Sequence, residues 1–234
     1  MTTETKPRTW TVRFVRMILL LVIIWMIWMA AVWSLQHRIM FPRGMIEDYR
    51  IMDTTPPGIE SIWMDTPDGQ RVEAWLIPAE GLEPGQAAPI VFFAHGNGEV
   101  IDDNLDLQWI AEAGTAVALI EYRGYGRSSG SPSQSAIVAD TNRLVEQILQ
   151  RPDIDADRVG YLGRSIGTGV LAQVARTHPP QAMAMIVPPA RLDTMAWKFG
   201  VPPFMVRSPF RTDQVVREVD MPLLILTRDR DTVI

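Results

Sequence analysis

The stretch from Val159 to His178 constrains this chain more than any other. Val159–Leu162 is a short apolar segment that reads as a strand. It runs into Gly163-Arg164-Ser165-Ile166-Gly167, and a helix-forming segment then continues until Pro179-Pro180 stops it. Val170, Leu171, Val174 and Ala175 give that helix an inward face. A glycine-flanked serine between strand and helix fits a strained turn that projects the hydroxyl. Gly163 and Gly167 are needed there because larger neighbours would block the close backbone packing. The alternative is an ordinary glycine-rich turn in which Ser165 is inert.

The surrounding sequence extends the same pattern. Residues 59–65 and 71–78 alternate weakly around Thr66-Pro67-Asp68-Gly69, which predicts a β-hairpin. Pro89–Ala94 is a continuous apolar run of the kind that forms a parallel strand covered on both faces. Strands are expected at 116–120, 159–162, 183–187 and 222–226, with helices over 134–150 and 167–178. Residues 190–220 read as irregular, with short helical stretches. An antiparallel hairpin leading into βαβ units predicts an α/β fold: a mostly parallel sheet with helices on both faces.

The N-terminus is organised differently. Met17–Trp33 contains no charged residue, and roughly 20 such residues cross a hydrocarbon core. Lys6, Arg8, Arg13 and Arg16 precede it against one acid, Glu4, which places the N-terminus in the cytoplasm. The expected organisation is a cytoplasmic tail at 1–16, a transmembrane signal anchor at 17–35, a connector at 36–58 and a catalytic-type domain at 59–234. A cleaved signal peptide and a buried core helix are the competing readings of the apolar run. As an anchor it makes the bilayer a partner and puts the domain on the periplasmic or extracytoplasmic side.

Composition narrows the chemistry. The chain has 234 residues, of which 47% are hydrophobic and 21% charged, a globular balance. Its net charge of −5 gives no reason to propose a nucleic-acid partner. The absence of cysteine excludes disulfides, thiolate catalysis, cysteine-ligated metals and lipidated cysteine. His95-Gly96-Asn97-Gly98 follows the Pro89–Ala94 strand, where a loop can aim a backbone N–H at a developing oxyanion. The expected oxyanion donors are Asn97 and Ile166. His95 itself reads as a hydrogen-bonded structural histidine. Glu121–Gly130 reads either as a binding loop or as a glycine-shaped turn whose arginine pairs with a carboxylate.

The segments HGNG, YRGYGRSSGSPS and GRSIGTG, in this order, resemble the α/β-hydrolase family that includes the BEM46-like and ABHD13-like proteins. Gln36-His37-Arg38-Ile39-Met40-Phe41-Pro42 resembles the stretch that follows the membrane segment in its bacterial members. The chain departs from the family pattern at Glu121, Gly98 and Thr227-Arg228. The resemblance implies an α/β-hydrolase fold preceded by one transmembrane helix. It also implies a serine hydrolase with a Ser-Asp-His triad and no metal or organic cofactor. Chain order then puts the acid after the last strand, at Asp229 or Asp231, and the resemblance favours Asp231, whose Asp231-Thr232-Val233-Ile234 fits the family's usual spacing; either residue could equally be a solvated turn aspartate.

No histidine suits the base. His37 borders the membrane segment, His95 belongs to the oxyanion loop, and His178 ends the helix that Ser165 begins. At about 1.5 Å per residue, His178 lies roughly 20 Å from the serine. The expectation is therefore a C-terminally incomplete domain whose histidine lies beyond residue 234, with little or no esterase activity in this chain alone. The expected substrate is a small-molecule or lipid-like acyl compound: an ester, thioester or amide. The aromatics Trp197, Phe199, Phe204 and Phe210 read either as a lining for an apolar acyl group or as ordinary packing. Two other functions stay open, a non-catalytic membrane-tethered interaction protein and a peptidase using the same triad.

Overall fold

A computed structural model describes residues 9–46, 50–197 and 200–227. The chain divides into two units, Met1–Gln36 and His37–Ile234. The described part of the first unit is helical. Helix α1 spans Thr9–Met40, five residues beyond the expected end at 35. Its 32 residues make it about 48 Å long, against a hydrocarbon core of about 30 Å. Leu19, Leu20, Ile24 and Ile27 are exposed on it, so length and composition suit the helix to crossing a membrane.

The second unit is built on a seven-stranded sheet in the order β1-β2-β4-β3-β5-β6-β7. The hairpin forms as the sequence predicts, with β1 at Glu60–Asp65 and β2 at Arg71–Ile77. Thr66 closes its turn: the hydroxyl donates to Asp68 at 2.6 Å and accepts the Gln70 N–H at 2.9 Å. Gly69 takes the positive φ that the turn needs, at 77°. β2 runs antiparallel to β4 (Ala116–Ile120). β3 (Ala88–Ala94), β5 (Ile154–Arg164), β6 (Ala182–Ile186) and β7 (Leu223–Leu226) complete the parallel part.

Alternate residues along the central strands feed two apolar layers. Ile90, Phe92 and Ala94 join α3 (Gln134–Leu149) and α4 (Ile166–Val174) on one face, through Ile137, Leu144, Val145, Val170, Leu171 and Val174. Phe93, Val117 and Leu119 belong to the other layer with Trp75, Ile101, Leu107, Ile110 and Ala111. That second layer is covered by a 3-10 turn at Ile101–Leu107 running into α2 (Gln108–Glu112), a helical segment the hydrophobic pattern did not predict. Helices therefore cover both faces.

The irregular stretch holds α5 (Leu192–Trp197) and α6 (Thr212–Val216). Phe210 there is fully buried in the α3–α4 layer and is ordinary packing. Trp197 and Phe204 are 63% and 82% exposed. Phe199 lies outside the described residues.

Candidate active site

β3 and β5 lie side by side and end in register, with Ala94 opposite Gly163. β3 is also the strand at which the order reverses, with β4 on one side and β5 on the other. The crevice beyond the carboxyl ends of such strands is where open α/β sheets bind ligands. The loop carrying Asn97 and the turn carrying Ser165 thus leave adjacent strands at the same level.

Ser165 has φ 50° and ψ −119°, a conformation that L-residues adopt only under constraint. The constraint comes from three hydrogen bonds. Its N–H donates to the Ile186 carbonyl at 2.8 Å, and its own carbonyl accepts the Thr168 N–H at 3.0 Å and the Thr168 hydroxyl at 2.6 Å. The two flanking glycines are required by packing. A Cβ at Gly163 would stand 2.6 Å from Thr168 Cα, and one at Gly167 would stand 2.0 Å from the Ala94 carbonyl oxygen. Gly167 therefore rests directly on the backbone at the end of β3, which joins the serine turn to the Asn97 loop. Ile166 opens α4, so its N–H has no partner within the helix.

The Asn97 loop is fixed by side chains. Both ends of the Asn97 amide are committed: Nδ2 donates to the Met40 carbonyl, and Oδ1 accepts the Tyr125 hydroxyl at 2.9 Å. What Asn97 has left to offer a ligand is its backbone N–H. The orientation of that N–H follows from His95, whose Nδ1 lies 2.7 Å from the Gly96 carbonyl. In a trans peptide the carbonyl and the following N–H point to opposite sides, and the described chain has no cis bond. The Asn97 N–H therefore points away from His95.

His95 is itself held by Glu121, with Nε2 and Oε1 2.8 Å apart and both side chains fully buried. Glu121 also accepts the Tyr122 N–H at 3.0 Å and the Ile101 N–H at 3.2 Å. Burial opposes a charge on His95, but the Glu121 carboxylate beside it leaves its pKa raised above 6.5. Burial also raises the phenols of Tyr122 and Tyr125, so both remain hydrogen-bond donors. The Tyr122 hydroxyl donates to the His95 carbonyl at 2.7 Å.

The structure brings together Gly163, Ser165, Ile166, Gly167 and Asn97. The candidate acids Asp231 and Asp229 lie outside the described residues. None of the three histidines reaches Ser165 through a hydrogen bond among the described residues. His95 has both ring nitrogens engaged, and His37 Nε2 is buried without a hydrogen-bond partner. The His178 carbonyl accepts the hydroxyl of Tyr161, at the far end of α4 from the serine.

The sequence reading did not single out Glu99 or Arg164. Arg164 donates to Glu99 at 3.0 Å, and Glu99 accepts the Gly96 N–H at 3.1 Å. In the loop after β4, Arg123 pairs with Asp140 and Asp68, the structural option of the two expected there.

Comparison with known proteins places this geometry in a family. Residues 85–232 match the family described as serine aminopeptidase, S33. The α/β-hydrolase domain-containing protein WAV2 of Arabidopsis thaliana is 29% identical over 195 residues, covering 75% of this chain and 62% of its own. The lysophosphatidylserine lipase ABHD12 of Danio rerio is 27% identical over 199 residues, covering 74% of this chain and 52% of its own. This chain thus spans about half to three fifths of the length of these relatives. Among solved structures, an esterase of Pyrococcus furiosus aligns with a TM-score of 0.62 at 17% identity, over 79% of this chain and 77% of its own. At that identity the likeness bears on the fold alone. The strand order, the serine turn and the match over more than half its length together mean that the chain belongs to the serine aminopeptidase S33 family, within the α/β-hydrolase superfamily.

Proposed function

We infer that this protein is a membrane-anchored serine hydrolase that cleaves an ester, thioester or amide through an acyl-enzyme on Ser165. The observation that carries the reading is the Ser165 backbone. A non-glycine residue at φ 50° between Gly163 and Gly167, on a turn pressed against the end of β3, costs about 1–3 kcal/mol. Backbone strain of this kind clusters at active sites and ligand clamps, where it pre-organises a reacting group.

In this mechanism Ser165 Oγ attacks the acyl carbon while its proton passes to a histidine base. The tetrahedral oxyanion lies between the Asn97 and Ile166 N–H groups. Its collapse expels the leaving group, which takes the proton from the base. Water, deprotonated by the same base, then attacks the acyl-enzyme and releases the acid and Ser165. Asp231 is the proposed acid that orients the base, with Asp229 as its alternative. None of the three histidines hydrogen-bonds Ser165 among the described residues, so the 234-residue chain alone should turn over little or no ester.

The lipase activity in ABHD12's name and the apolar helix α1 favour a lipid-like acyl substrate. The description of the family as an aminopeptidase favours a second reading, in which the same serine cleaves a peptide amide.

A fluorophosphonate probe tests the common core of both readings. The full-length protein should be labelled stoichiometrically, and its Ser165→Ala form should not be labelled at all. Equal labelling of the two forms would sink the assignment. An unlabelled full-length protein would favour a non-catalytic role for the fold.

A further inference from the structure

Glu99 lies after the HGNG segment, and its carboxylate touches both halves of the site. A single atom, Oε2, accepts the Gly96 N–H at 3.1 Å and Arg164 Nη1 at 3.0 Å. Gly96 immediately precedes Asn97, and Arg164 immediately precedes Ser165. One oxygen therefore ties the residue before an oxyanion donor to the residue before the nucleophile. Glycine at 96 permits the approach, since a Cβ there would stand 2.9 Å from Glu99 Oε1.

Arg164 is anchored from other directions as well. Nη1 also donates to the Asn104 Oδ1 at 3.1 Å, and the guanidinium lies 5.4 Å from the centre of the Phe93 ring. Asn104 is fully buried, and its own amide donates to the Val100 carbonyl at 2.9 Å. The guanidinium is thus fixed against the layer beneath the sheet, and Glu99 is fixed to the guanidinium.

We propose that Arg164 and Glu99 form a strut that sets the separation between the Asn97 N–H and the Ser165–Ile166 turn. Both are positioning residues for the tetrahedral oxyanion, and the proposal rests on the serine-hydrolase reading above. The physical need is specific. Two donors must stand about 2.7–3.1 Å from an oxygen that carries its charge only after attack. The loop holding one of them contains Gly96 and Gly98, which have no side chains of their own to restrict the backbone. The strut therefore acts on the transition state and has little effect on initial binding.

The test uses the full-length protein and a fluorophosphonate probe, resolving its inactivation kinetics into the first-order rate kinact and the affinity KI. In Glu99→Gln and Arg164→Met, kinact should fall about tenfold to a hundredfold, since an ångström of misplacement costs about a hundredfold. KI should stay within about twofold. Arg164→Lys, which keeps the cation without the fork, should recover part of the loss. The double variant should be no slower than the slower single variant, because both remove one strut. Unchanged kinact, losses that multiply in the double variant, or losses confined to KI would each overturn the proposal. If Arg164→Met does not fold, Glu99→Gln and Arg164→Lys carry the same test. A wild type that is never labelled would sink the hydrolase reading and the strut with it. A labelled wild type with indifferent variants would sink the strut alone.

Discussion

Both ring nitrogens of the buried His95 face oxygens that only accept, the Gly96 carbonyl and the Glu121 carboxylate, an arrangement that favours the protonated ring. A neutral ring would satisfy one of them and turn a lone pair toward the other. Its folded pKa lies above 6.5, so the pair contributes stability that is fully present below pH 6.5. That stability is lost as pH rises through the raised value. Urea unfolding of the detergent-solubilised protein should therefore show stability declining above that pH, by no more than about 1.4 kcal/mol per pH unit from this residue. His95→Gln should be less stable at pH 6 and should lack that component of the slope. Parallel pH curves for the two proteins would refute the charged pair. The sequence marked His95 as structural from its place in HGNG, but its partner lies 26 residues away, just past the end of another strand, and no local pattern announces a contact of that kind.

Among the elements, α3 is tied to the loop after β4 by one side chain. Arg123 makes two hydrogen bonds to Asp140, at 2.6 and 2.8 Å, and reaches Asp68 in the hairpin turn at 2.8 Å. The two carboxylates differ in exposure: the Asp140 side chain is 3% exposed and that of Asp68 is 58% exposed. Asp140→Ala would leave a nearly buried guanidinium with only the exposed Asp68 as its carboxylate partner, at a cost of about 3 kcal/mol. Asp68→Ala should cost a small fraction of that, because water solvates the bond it replaces. Chemical denaturation of both variants checks the ranking, and equal losses would show that burial does not set the worth of these pairs.

The elements that were legible in the sequence are those whose pattern is local. β3, β4 and β6 are continuous apolar runs, and the hairpin announces its turn in Pro67-Asp68-Gly69. The first half of β5 was not legible, because Asp155–Arg158 is polar and faces outward. The 3-10 turn at Ile101–Leu107 was missed for a related reason. Its Asp102 is buried only because Arg127 and the Met52 N–H reach it, and neither is close in sequence. The serine turn was legible because glycine is the residue its packing demands. The strut beneath it was not, because Glu99 and Arg164 become neighbours only once β3 and β5 pair.

At the scale of the whole molecule the reading turns on which side of a membrane the sheet occupies. α1 supplies a helix longer than a bilayer core, and Lys6, Arg8, Arg13 and Arg16 precede its apolar run at Met17–Trp33. Lys and Arg near a span favour the cytoplasmic side, because translocating them costs more than retaining them. The second unit should then sit outside the cytoplasm. The chain has no cysteine, so a single introduced thiol reports its own compartment without background. Glu83 lies in an exposed loop between β2 and β3, and Thr3 lies in the N-terminal tail. In right-side-out membrane vesicles, a membrane-impermeant maleimide should label Glu83→Cys before any detergent is added and Thr3→Cys only after it. The reverse pattern would place that unit in the cytoplasm. Labelling of Glu83→Cys in a soluble fraction, on a chain shortened at its N-terminus, would replace the anchor with a cleaved signal while leaving the same fold on the same side.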